Sequence, residues 1–121
     1  MPAPSQLAIA TQSVQRLIKE EAYYHKELAG QKARVEKIEG DVKAGNSEHG
    51  DNADFVLKQE RQAMEETKAV FAPLRKRISD AVQKLEEQIA ISESGEAAAE
   101  GELEKAKEAL AKGQELVKDD E

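Results

Sequence analysis

Apolar side chains recur every seven residues over the first third of the chain. Stepping by seven from Leu7 passes through Val14, Glu21, Leu28, Val35 and Val42, and the companion row is Ala10, Leu17, Tyr24, Gln31 and Ile38. Nine of these eleven positions are apolar. Steps that alternate three and four residues put all of them along one seam of an α-helix, so the pattern predicts a helix over about 5–44 that buries this seam against other helices. Gly30 and Gly40 weaken that helix locally, by about 1 kcal/mol each relative to Ala. The seam assigns the adjacent tyrosines opposite fates. Tyr24 lies between Leu17 and Leu28 and is predicted to be core. Tyr23 shares a row with Ile9 and Arg16, roughly 130° around the helix from the seam, and is predicted to be exposed.

A second stripe follows a break. Residues 45–52, Gly-Asn-Ser-Glu-His-Gly-Asp-Asn, contain no apolar side chain and read as a loop. Asp51 or Asn52 then suits a helix cap, and Asp54 places a carboxylate where the helix dipole favours it. Leu57, Met64, Phe71, Ile78 and Leu85 repeat at seven, joined by Leu74, Ala81, Val82 and Ile89. A helix over about 52–91 is expected, continuous through Pro73 but kinked there, because proline removes a backbone donor and crowds the preceding turn. Ser92-Glu93-Ser94-Gly95 reads as the next turn, with Ser94 as the cap of a third helix over about 95–118. Its face of Ala99, Leu103, Ala106, Leu110, Gly113 and Val117 is thin, so this helix should be the least stable. Short connections make successive helices antiparallel. The expected fold is all-α: a single domain over 1–121, built as an elongated up-down-up three-helix bundle with coiled-coil-like packing.

Composition narrows the function more than the fold. With 36% charged residues, two Phe, two Tyr and no Trp, the core must be a narrow seam of aliphatic side chains. The absence of cysteine removes disulfides, thiolate metal sites and a cysteine nucleophile. No apolar run approaches the ~20 residues that span a bilayer, and the N-terminus lacks a signal-peptide pattern, so a cytosolic protein is expected. The net charge of −7 is concentrated beyond residue 94, where four basic residues face nine acidic ones. Such a balance opposes nucleic-acid binding, which needs a net basic stripe. The cluster Arg75-Lys76-Arg77 is the local exception and reads as a solvated helix face with carboxylates nearby. His25 and His49 have no ligand or base partner at coordinated spacing, and neither a calcium loop nor a phosphate-cradling glycine loop is present. The expectation is a non-enzyme without metal or cofactor, whose function lies on helix surfaces.

The segment from Arg16 to Leu28 carries a more specific signal. Arg16, Leu17, Lys19 and Glu20 form an Arg-Leu-x-Lys-Glu run, followed by Tyr24 and Glu27; Leu57-Lys58-Gln59 opens the second helix, and Pro73 interrupts it. In this order, and over roughly residues 5–90, the chain resembles the tubulin-specific chaperone A family, also called tubulin-binding cofactor A. The resemblance implies a three-helix protein without enzymatic activity that holds β-tubulin during folding, before heterodimer assembly. It also implies a cytoplasmic, cytoskeleton-associated location and contact with other tubulin-folding cofactors. Lys43 to Asn52 and Gly95 to Glu102 depart from the family pattern. An exposed row of Ile, Arg and Tyr has the composition of binding hot spots. Ile9, Arg16 and Tyr23, with Lys19, Glu20 and Glu27 of the shared run, are therefore the candidate β-tubulin-binding residues. The heptads are equally compatible with a coiled-coil tether or adaptor without tubulin preference, and with a monomer or a homodimer.

Overall fold

The computed structural model describes residues 5–45, 52–95 and 100–118. Among these only Ser5, Ala44, Gly45 and Asn52 lie outside α-helix. Three helices make up the fold: α1 (Gln6–Lys43), α2 (Ala53–Gly95) and α3 (Glu100–Lys118). The all-α three-helix architecture predicted from the heptads is the one observed.

Helix ends follow local chemistry. Ser5 caps α1: its Oγ accepts the Ala8 backbone N–H at 3.0 Å, satisfying one of the donors that a helix N-terminus leaves open. The same hydroxyl donates to Glu102 Oε1 on α3 at 3.4 Å. At the other end, Gly45 takes φ +74°, and its N–H bonds the Val42 carbonyl at 3.1 Å. This left-handed turn closes the helix at a position that strongly favours glycine. Of the loop predicted for 45–52, residues 46–51, including the proposed cap Asp51, lie outside the described residues.

Two boundaries differ from the expectation. α2 does not stop near residue 91 but continues through Gly95, and Ser94 Oγ donates to the Ala90 carbonyl at 2.9 Å inside its last turn. Ser94 therefore belongs to α2 and does not cap α3, whose first residue is Glu100. The physical reason is the seam: Ser92, three residues past Ile89 and seven past Leu85, is itself buried, and that packing outweighs the turn tendency of Ser and Gly. Pro73 sits within unbroken α2, as predicted.

The chain groups into two compact units. The first comprises Met1–Glu21 with Ala72–Glu121, and the second is Ala22–Phe71. In the first unit all three helices contribute. Glu20 pairs with Arg77 at 3.5 Å, while Ile9 shares a groove with Asp80, Ala81 and Lys84, so α1 and α2 run antiparallel. Lys107 meets Glu93, and Gln114 Nε2 donates to Glu86 Oε1 at 2.9 Å, so α3 runs antiparallel to α2 and parallel to α1. The core holds Leu7, Ala10, Val14 and Leu17 from α1, Leu74, Ile78, Val82, Leu85 and Ile89 from α2, and Ala106 and Ala109 from α3. Val82 packs at Gly113, and Ile18 lines a groove with Glu108, Ala109 and Lys112 of α3.

The second unit is an antiparallel pair formed by 22–43 of α1 and 53–71 of α2. Its small core is Val35, Ile38 and Leu57, with Val56 and Met64 packed against them. Arg34–Glu60 at 3.4 Å and Arg61–Glu39 at 2.9 Å bridge the two helices, and the ring of His25 lies 4.5 Å from that of Phe71. Three seam predictions are corrected in this unit. Val42 is 43% exposed, while Tyr24 and Leu28 are only half-buried. With two helices in this unit, Gln31, Val35, Ile38 and Leu57 are buried between them, while other seam positions keep a flank open to solvent.

Candidate functional site

The polar members of the α1 seam show what the helix can tolerate inside. Glu21 occupies an apolar register position and is 2% exposed, with Oε2 at 3.7 Å from Nε of the mostly buried Arg75. A buried carboxylate persists only with a compensating charge close by. Together with Arg77, paired to Glu20, Arg75 answers the question raised by the basic cluster: two of its three cations face α1 carboxylates. The signal for this pair was present in the sequence as a Glu in an apolar seam, but the seam alone does not say which residue on α2 faces it.

The six candidate residues on α1 divide between the two units. In the first unit Ile9 is 42% exposed and borders the α1–α2 groove, and Arg16 is exposed. Lys19 lies instead on the α1–α3 groove, a shallow space of about 350 Å³ lined also by Gln15, Ile18, Glu108, Ala109 and Lys112. Glu20 is half-buried and engaged with Arg77. Ile9 and Lys19 thus open onto different grooves.

In the second unit Tyr23 and Glu27 are brought together. Tyr23 is 61% exposed, as predicted, and rests edge-on against Tyr24 with ring centroids 5.3 Å apart. Its hydroxyl donates to the Glu27 carboxylate one turn on, and that hydrogen bond, with the carboxylate's negative charge, raises the phenol above its ordinary pKa near 10. Lys26, Gly30 and Arg34 complete a shallow surface beside the pair. An aromatic face ringed by both signs of charge can grip a protein surface, but it contains no nucleophile, base and electrophile in mutual reach.

Sequence reasoning did not find the exposed Phe55 and Ile91 of α2, since neither belongs to a heptad row. Among the described residues no group of three acidic, histidine or cysteine side chains is placed to hold a metal ion, and no helix is long and apolar enough to cross a membrane.

Comparison with known proteins bears on the same helices. Residues 2–110 match the family described as tubulin binding cofactor A. The tubulin-specific chaperone A of Saccharomyces cerevisiae is 32% identical over 85 residues, which cover 70% of this chain and 73% of the yeast protein. No solved structure matches. With a family match that runs through α1, α2 and half of α3, and a yeast relative aligned over most of both chains, the chain belongs to the tubulin binding cofactor A family.

Proposed function

We propose that this protein is a tubulin-folding cofactor of the cytoplasm that binds β-tubulin and holds it, without ATP and without chemistry, before heterodimer assembly. The observation that carries this reading is the family match over nearly the whole chain. Physical features are in keeping with it. A holding factor acts by mass action on its client, which requires a preformed surface and no fuel site. The chain has helices of 38 and 43 residues and no phosphate-binding glycine loop. We place client contact on the outward surface of α1, at Tyr23 and Glu27 in the second unit and at Ile9 and Arg16 in the first.

The test is capture of refolding β-tubulin by the purified full chain, with α-tubulin as the control and with ATP added or omitted. Retention of β-tubulin alone, unchanged by nucleotide, is expected. Tyr23→Ala should weaken capture by about tenfold, the scale of one hot-spot aromatic, with an unchanged Tm. A chain that self-associates but retains neither tubulin would overturn the reading in favour of a coiled-coil tether.

A further inference from the structure

The two units differ sharply in what holds them together. Of the 14 buried hydrophobic residues among the described positions, only Val35, Ile38 and Leu57 belong to the Ala22–Phe71 unit. Its helix-bridging ion pairs, Arg34–Glu60 and Arg61–Glu39, are largely solvent-exposed, and exposed pairs of this kind contribute little to stability. Midway along the unit's seam stands Gln31, 5% exposed, whose Oε1 has no hydrogen-bond partner among the described residues. A buried amide oxygen left in this way subtracts from stability at a position that a leucine would strengthen. Segments with few buried apolar contacts open at lower free energy than the rest of the molecule.

We propose that the Ala22–Phe71 unit opens locally while the three-helix unit stays folded, and that this opening is a release step for the held client. The second clause rests on the tubulin-holding function above. Tyr23 and Glu27 sit one turn apart only while this part of α1 is helical, so each opening dissolves the contact surface that they form. A holding factor without a nucleotide site thereby has an internal route to release, and Gln31 sets how often it is used.

Hydrogen exchange on the full chain tests the opening. Amides at 26–41 and 56–70 should exchange at least about tenfold faster than those at 10–17 and 78–89; equal protection in the two units would overturn the proposal. Gln31→Leu should slow exchange across 26–41 by about tenfold, leave 78–89 unchanged, and slow dissociation of a preformed complex with labelled β-tubulin severalfold. Gly40→Ala, at an open helical position in the same unit, should act in the same direction by about fivefold even if the Gln31 variant fails to fold. Slower exchange with unaltered dissociation would remove the release role. If the wild-type chain captures no β-tubulin at all, the holding function fails, whereas the exchange pattern still decides the opening.

Discussion

Gly113 shows how one missing atom positions a helix. A Cβ built there would come within 2.6 Å of Val82 Cγ2 and 3.2 Å of Val14 Cγ1, both on stiff, buried, β-branched side chains. Gly113→Ala should therefore lower stability by about 1–3 kcal/mol through overpacking, although alanine is the better helix former. Gly40 meets nothing within 4 Å, so Gly40→Ala should raise the stability of its unit by up to about 1 kcal/mol. Urea denaturation of the two variants checks the opposite signs; a stabilised Gly113→Ala would mean that α3 does not approach this closely. The phenol of Tyr23 offers a second residue-scale test. Because its folded pKa is raised by Glu27, the folded state favours the neutral phenol. The resulting contribution is fully present below the unfolded pKa near 10 and is lost as pH rises through the folded value. Glu27→Gln should move the Tyr23 titration, followed by ultraviolet absorbance or NMR, down toward 10. A titration insensitive to that change would show that the two side chains do not meet.

Pairs of elements are joined by interactions that neither helix displays alone. Glu21 of α1 and Arg75 of α2 form an ion pair in which both groups are mostly withdrawn from water. Arg75→Met should cost about 3 kcal/mol, since it takes the guanidinium away from a carboxylate that is already buried. The double variant Glu21→Leu with Arg75→Met should recover most of that loss, because apolar replacements of both members of a buried pair are often neutral or better. A double-mutant cycle in urea measures the coupling, and additive losses would show that the two side chains act independently. α3 presents a different interface. Its buried residues are Ala106, Ala109 and Gly113, small side chains that bring helix axes close without burying much area per residue, while Leu103, Leu110 and Val117 are half-buried at the margins. The thin stripe predicted for α3 is thus present, and close approach is what makes it sufficient. Of the cap and seam positions predicted for these helices, Asp51 and Ala99 lie outside the described residues, and Asp54 stands in the first turn of α2.

For the molecule as a whole, seven-residue spacing determined the three helices, the continuity of α2 through Pro73 and most of the core. Leu7, Val14, Ile78 and Leu85 were assigned to the interior and are there. Order of motifs did the same for the family, since Arg16 to Leu28 and Leu57 to Pro73 lie within the matched span. The exposure of Ile9 and Tyr23 was legible too, because both lie on a row turned away from the seam. Beyond that, spacing specifies the direction in which a side chain leaves its own helix, and nothing about what stands opposite. Tertiary structure alone decided that Glu21 faces Arg75, that Ser92 extends α2 by another turn, and that Gly113 lets Val82 and Val14 close on α3. It likewise decided that Ile9 and Lys19 border different grooves, and that Val42 and Leu28 are less buried than their register predicts. Burial at a seam position depends on how many helices close over it. That number is set by which distant segments pack together, and the 22–71 unit has two helices where the other has three.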